Sequence, residues 1–218
     1  MVEIEPIAFI ENDYKEKFGI PRQSGLVELP SRIVFREKFA DENALRGLDD
    51  FTHIWLIWGF SEVEAGNFSP TVRPPRLGGN VRKGVFATRS PFRPNPLGIS
   101  VVKIISIERC VITVSGADLM NGTPIFDVKP YLPYVDSVPD ASDGWALSER
   151  NGTLLVEFPE DLLQKIPESK RRGLSELLAQ DPRPQYQSAP ERVYTMSFGE
   201  HQISFRVEGA QLFVTAIE

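Results

Sequence analysis

The chain has 218 residues, 41% of them hydrophobic and 25% charged, with a net charge of −6; this excludes fibrous and disordered classes and allows one sizeable core plus a small appendage. One cysteine, Cys110, and two histidines, His53 and His201, exclude a disulfide framework and a zinc ribbon and suit a reducing cytoplasm. MVEIEPIAFI lacks the basic and long apolar regions of a signal peptide, and the run Ile54 to Phe60 is too short to span a bilayer, so a cytoplasmic protein with neither membrane nor metal is expected.

In chain order, IEPIAFIEN, SRIVFREKF, THIWLIWGF, KGVFATR, GISVVKIISIE and CVITVSGADL are short β-branched and aromatic runs bounded by Gly, Pro, Asn and Asp, which reads as successive strands. DENALRGL, between the second and third runs, predicts a short helix with Asp41 as N-cap and Gly47 near its end. The fifth and sixth runs meet at Arg109 and predict an antiparallel hairpin. After Asp136 the chain becomes turn-rich, and PEDLLQKIPESKRRGLSELLAQ then predicts two short helices interrupted at Pro167 and Gly173. VYTMSFGEHQISFRVEGAQLFVTAIE alternates in three runs, a small meander. The fold expected is mainly β: an antiparallel β-barrel over residues 1–147 and a small α+β domain over residues 148–218.

The net charge hides an asymmetry. Between Ala65 and Ile107 stand Arg73, Arg76, Arg82, Lys83, Arg89, Arg93 and Lys103 with no Asp or Glu, so this window carries +7 and the remainder −13. Acidic neighbours in the fold could balance such a loop, or the loop could hold phosphate; the two readings stand about even. No dinucleotide fingerprint, P-loop, zincin motif or nucleophile elbow is present. The glycine-rich turn of the usual methyltransferase fold is also missing. His53 reads as a strand histidine, Cys110 as core or hairpin surface, and Trp55, Trp58 and Phe60 as core.

Two stretches carry chemistry. In RPPRLGGNVRKGVFATRSPFRPNPLGIS, prolines restrict the loop so that Arg73, Arg76, Arg89 and Arg93 take defined positions, as an anion receptor needs. In GADLMNGTPIFDVKPYLPYVDS, Asp118, Asp127, Lys129, Tyr131, Tyr134 and Asp136 lie around a tight NGTP turn, although Asp127 and Lys129 could simply form a strand-face ion pair.

These two stretches, with PIAFIENDYKEKFGIPRQSGLV, LRGLDDFTHIWLIWGF and, further on, DPRPQYQ, resemble the TsaA-like or TrmO family of tRNA methyltransferases over nearly all of residues 4 to 141. The resemblance implies a dimeric β-barrel enzyme that uses S-adenosylmethionine to methylate N6 of threonylcarbamoyladenosine at position thirty-seven of the tRNA anticodon loop. It assigns cofactor contacts to Pro21, Arg22, Gln23, Ser61, Glu62, Arg89, Leu119, Gly122, Thr123, Pro124 and Ile125. Ser61 and the segment Tyr194 to Met196 depart from the family pattern. Arg89 and Arg22 are suited to the methionine carboxylate, Glu62 to the ribose hydroxyls or the ammonium, and the backbone of the NGTP turn to an adenine ring.

Methylation of a carbamoylated N6 requires a group that takes its proton. Asp118, Asp136, Tyr131 and Tyr134 are the candidates, with Asp136 and Tyr134 preferred because they follow the strand bearing Lys129. Arg73, Arg76, Arg93, Asn95, Lys129 and Tyr131 are expected to bind the substrate tRNA. A non-catalytic RNA-binding barrel would need the basic window but not Glu62 or the NGTP turn, and a small-molecule methyltransferase would not need so extended a positive field. Binding of S-adenosylmethionine without RNA separates the enzyme from the RNA-binding module.

Overall fold

Successive side chains of a strand point to opposite faces, so the alternating runs can bury one face while the other meets solvent. The structure, a computed structural model, describes residues 3–64, 66–74, 81–149, 153–183 and 191–218. Its strands in the first two-thirds of the chain are β1 (Ala8–Glu11), β2 (Pro30–Phe35), β3 (His53–Gly59), β4 (Thr71–Val72), β5 (Lys83–Gly84), β6 (Leu97–Glu108), β7 (Val111–Ser115) and β8 (Pro124–Pro130). Of these, β1, β2, β7, β6, β3 and β8 close in that order into an antiparallel barrel. Ala8, Ile10, Ile33, Ile54, Leu56, Val102, Ile112, Val114 and Ile125 fill it.

One close approach sets the barrel's end. The Trp58 indole lies across Gly98 on the neighbouring strand, where a Cβ would come within 2.3 Å of the ring, so only glycine fits beneath it. The β6–β7 hairpin turns at Arg109 and Cys110, both with positive φ (46° and 60°), the left-handed pair that matches strand twist. DENALRGL forms not an α-helix but a single 3₁₀ turn over Glu42–Leu45, capped by the Asp41 carboxylate at 2.8 Å from Asn43 N; Gly47, at φ 82°, begins the next turn. The run is too short to nucleate more.

After β8 come a one-turn helix α1 (Pro133–Asp136), β9 (Leu155–Glu157), α2 (Glu160–Leu163), α3 (Glu168–Ala179), β10 (Tyr194–Phe198), β11 (His201–Glu208) and β12 (Gln211–Ile217). The last three strands form the expected meander, and β9 adds to its β12 edge in parallel. Pro167 precedes α3 as expected, but Gly173 does not interrupt it. Gly173 lies inside the helix because a side chain there would sit 2.4 Å from Leu29, so its absence lets α3 press onto the β1–β2 connection.

That contact is general. The core of the C-terminal sheet, built from Leu174, Leu177, Met196, Phe198, Ile203 and Phe205, also takes in Tyr14, Val27 and Leu29 from the β1–β2 connection. Asp13 pairs with Lys170 at 2.6 Å and its carbonyl accepts from Gly199 N at 3.0 Å. The long loop out of the barrel is therefore folded against the second unit rather than against the barrel alone.

Candidate functional site

The β1–β2 connection, held between barrel and C-terminal sheet, carries Pro21, Arg22 and Gln23. Pro21 is buried, Arg22 Nη2 donates to the Asp181 carbonyl at 2.6 Å, and Gln23 Oε1 accepts from Arg89 Nη1. Asp181 sits at positive φ (51°), and Arg183 grips its carboxylate at 2.8 and 2.9 Å. Arg89 follows the turn Val85–Ala87. The same connection is laced to the segment after β7: Asn12 Nδ2 donates to Leu119 O at 2.9 Å, Asn121 N to Tyr14 O at 2.8 Å, and Gly25 N to Gly116 O at 2.8 Å.

Three chain segments far apart in sequence thus meet at one end of the barrel, where β3 and β6 pair at Gly59 and Leu97 and β8 begins. Exposed Ser61 and Glu62 follow β3 there. Glu62, Lys15, Glu16, Lys17, Phe18 and Met120 line a recess of about 430 Å³. A second groove, about 380 Å³, lies elsewhere, between Ala44–Leu48 and the β8 residues Asp127, Val128 and Pro130. Of the residues singled out for chemistry in the sequence, Asp127 alone lines it.

The NGTP turn was expected to offer its backbone to an adenine ring. Much of that backbone is already engaged: Gly122 N donates to Ile10 O, Thr123 N to Met120 O, Ile10 N to Thr123 O and Ile7 N to Ile125 O. Thr123 and Ile125 are buried, and Pro124 and Ile125 pair with Phe9 and Ala8. The turn shapes the wall of the site more than it supplies free donors.

Asp118 stands at the junction. Its Oδ1 accepts from Ser100 Oγ at 2.5 Å, and Ser100 in turn accepts from Trp58 Nε1 at 3.0 Å. Burial pushes its carboxyl above the usual carboxylate range, against the opposing pull of Ser100, its own backbone, Arg89 and the Ser24 backbone. Nearby, the Tyr14 hydroxyl is buried with no hydrogen-bond partner among the described residues, and burial, then Asp13 and Asp118, push its pKa far up. Sequence reasoning passed over Ser100, Ser24 and Tyr14 and read Trp58, correctly, only as core. Ser100 was findable, being a polar residue at an inward position of β6, and a buried indole N–H needs an acceptor.

The remaining candidates lie elsewhere. Lys129 pairs with Asp127 at 2.9 Å across the outer face of β8, the strand-face ion pair. Tyr131 packs against Trp55 and His53 with ring centroids 5.6 and 6.4 Å away. Asp136 Oδ2 accepts from Leu132 N at 2.8 Å and Trp55 Nε1 at 3.0 Å, which holds its pKa below the usual value. Tyr134 is 83% exposed. Register places this cluster at the β3 start and β8 finish, since Trp55 pairs with Lys129 while Trp58 pairs with Ile125. Five residues of β8 lie between Ile125 and Tyr131, roughly 20 Å along the chain. Methyl transfer requires reacting atoms about 3–3.5 Å apart. Among the described residues, Asp136 is bonded to Leu132 and Trp55 and not to Arg89 or Gln23.

In the basic window, Arg93 does not point outward as a free phosphate contact. Its Nη1 donates to Val85 O at 3.2 Å and Thr88 O at 2.7 Å, and its guanidinium lies over Phe86. Arg73 and Asn95 are exposed, and Arg76 lies outside the described residues. Among the described residues, none of Arg73, Arg82, Lys83, Arg89, Arg93 and Lys103 enters an ion pair. Direct ion pairing with acidic neighbours therefore does not explain the window. Among the described residues no group of His, Cys, Asp and Glu could hold a metal ion, and no helix is long and apolar enough to cross a membrane.

Comparison with known proteins supplies the context. Residues 9–137 match the family model of the tRNA-methyltransferase O N-terminal domain, and residues 151–218 that of the TrmO C-terminal domain. The chain is 38% identical to the tRNA (adenine(37)-N6)-methyltransferase of Escherichia coli (strain K12), covering 99% of this chain and 97% of that protein. It is 44% identical to the enzyme of that name from Eikenella corrodens, over 77% of this chain and 97% of the relative. A crystal structure of TrmO superimposes with a TM-score of 0.83 at 30% identity, covering 100% of this chain and 99% of the other.

Proposed function

The chain belongs to the tRNA-methyltransferase O family, and from that premise we propose that it methylates N6 of adenine 37 in tRNA with S-adenosylmethionine, acting in the cytoplasm on the threonylcarbamoylated base of the anticodon loop. The observation that carries this reading is the convergence of Gln23, Arg89 and the Leu119–Ile125 segment, three stretches remote in sequence, at one end of the barrel.

The residues present fit the cofactor. Among the described residues, Arg89 is a cation outside any ion pair, available to a methionine carboxylate, and the Tyr14 hydroxyl is a buried polar group without a hydrogen-bond partner. When bound, S-adenosylmethionine supplies an electrophilic methyl group. The chain's own residues orient and exclude: Arg22 and Arg89 hold the carboxylate end, Glu62 faces the ribose or ammonium, and Leu119, Gly122, Thr123, Pro124 and Ile125 form the wall. Ser61 and Pro21 shape the approaches. Residues 1–147 form the catalytic barrel on this reading, and residues 148–218 form the support that holds the β1–β2 connection in place.

Substrate recognition falls to the un-neutralised basic window, with Arg73, Arg76 and Asn95 along the tRNA backbone and Arg93 bracing the turn that presents Arg89. Asp136 and Tyr134 then act across a homodimer, in which a two-fold axis brings the Tyr131 end of one barrel against the Arg89 end of its partner. An isologous interface makes both such junctions at once. Exposed Phe86, Phe92, Leu97 and Ile99 give the barrel an apolar outer strip suited to that contact. Asp136 would take the N6 proton as the methyl transfers. Lys129 would hold the threonyl carboxylate, exchanging its exposed pairing with Asp127, which is worth little in water.

The threonylcarbamoyl group matters for two physical reasons. Its carbonyl acidifies the N6 proton, and its carboxylate meets a cation that is otherwise left without that partner. Single-turnover methylation of tRNA with the group should exceed that of tRNA lacking it by about 30-fold or more, the equivalent of roughly 2 kcal/mol for a missing charge partner. Rates within about threefold would overturn the substrate assignment, and absence of any methylation the enzymatic one.

A further inference from the structure

We propose that Asp118 is a positioning residue for the cofactor: a single carboxylate, braced from inside the barrel by Trp58 and Ser100, holds the Ser24 end of the β1–β2 connection and the Arg89 guanidinium in one arrangement. The proposal rests on the cofactor reading above and goes beyond it, because Asp118 is not among the cofactor contacts that the resemblance implies.

The geometry is that of a hub. Trp58 Nε1 donates to Ser100 Oγ at 3.0 Å, and Ser100 Oγ donates to Asp118 Oδ1 at 2.5 Å, so the brace starts in the core. The Ser24 backbone and the Arg89 guanidinium both lie near enough to favour the carboxylate's charged form. Gly25 N closes on Gly116 O at 2.8 Å, bringing the end of the connection beside the segment that holds Asp118. Arg89 in turn grips Gln23. Asp118 is therefore linked to both arms of the Arg89–Gln23 pair and adjoins Leu119 in sequence. The Ser100 hydroxyl fixes the carboxylate's orientation, and a fixed negative charge biases where the nearby Arg89 guanidinium lies.

A carboxylate serving the fold alone would be expected to gain from its surroundings. This one is placed where burial opposes its charge, which raises its pKa. Groups that cost stability and persist are characteristic of functional sites. The charged and titratable groups facing it are Arg89 and Tyr14, with Asp13 beyond Tyr14 and already paired with Lys170. The Tyr14 hydroxyl, its pKa pushed far up, stays neutral across the working range.

The test uses the full chain and its Asp118→Asn variant, with calorimetric titration of S-adenosylmethionine in the absence of RNA, thermal melts, and steady-state kinetics. The expected result is a Kd for the cofactor raised about tenfold or more, kcat recovered at saturating cofactor, an unchanged KM for tRNA, and a melting temperature at neutral pH equal to or above the parent's. Ser100→Ala, which keeps the carboxylate but removes its brace, should show a smaller loss in the same direction. Affinity in the parent should also fall on acidification, and the Asn variant should not follow it. An Asp118→Asn protein that binds the cofactor with parental affinity overturns the proposal, whether its melting temperature drops or its kcat falls at saturating cofactor. A parent that gives no titration signal overturns the cofactor reading itself.

Discussion

Asp136 accepts two hydrogen bonds on one oxygen, from the Leu132 amide and the Trp55 indole, and both favour its charged form. Its folded pKa is thereby depressed, so its contribution to stability is present above the ordinary carboxylate value of 3.8 and is lost as pH falls through the lowered one. Comparing the melting temperatures of the parent and Asp136→Ala across pH tests this. The difference should be full at neutral pH and vanish on acidification below that value; a gap that persists in strong acid would contradict it. Asp118 has the opposite sign. Its raised pKa makes the folded state lose stability as pH rises from the unfolded value through the folded one, so neutralising it relieves a cost. The same side chain, 18 residues apart in sequence, is a tether in one setting and a strained hub in the other.

At the scale of elements, β6 does two jobs. Its first half pairs with β3 and its second with β7, and its inward residues Gly98 and Ser100 set the position of Trp58. Gly98→Ala puts a methyl group where the indole lies, and overpacking of this kind costs about 1–3 kcal/mol. The melting temperature should fall by about 3–10 °C, and cofactor affinity should weaken with it because the brace on Asp118 starts at Trp58. An unchanged melt would mean that the indole moves aside freely. The β1–β2 connection is the other element that decides the site, and no local propensity marks it: its conformation comes from Tyr14, Val27 and Leu29 sinking into the core of the C-terminal sheet.

For the whole molecule, the central fact is that Arg89 meets Gln23 while Asp136 meets Leu132 and Trp55, with no bond between the two groups among the described residues. If a dimer joins them, two inactive variants should complement each other. Arg89→Ala spoils one end and Asp136→Asn the other; an exchanged equal mixture contains heterodimers in which one junction is intact, so about a quarter of all sites should work. Light scattering should give a dimer mass, and the mixed sample should regain activity that neither variant has alone. No recovery after verified exchange would mean that each site is completed within one chain.

Most barrel strands, the β6–β7 hairpin, the meander and the basic window were legible from alternation, turn residues and charge counts, because those signals are local. KGVFATR, read as a strand, is one only at Lys83–Gly84 before the 3₁₀ turn Val85–Ala87, and the short strands β4 and β9 carry too little alternation to be read. Gly173 was read as a break because its neighbour Leu29 lies 144 residues away in sequence. The same limit governed the site: the residue types were visible in the two rich stretches, yet their division between opposite ends of the barrel depends on strand register. Asp118 outranks Asp136 at the Arg89 end only because folding buries it beside Ser100 and Arg89. Sequence by itself determined which side chains were available to the chemistry; tertiary structure decided which of them meet, because distance and desolvation are set by the packed chain and not by its order.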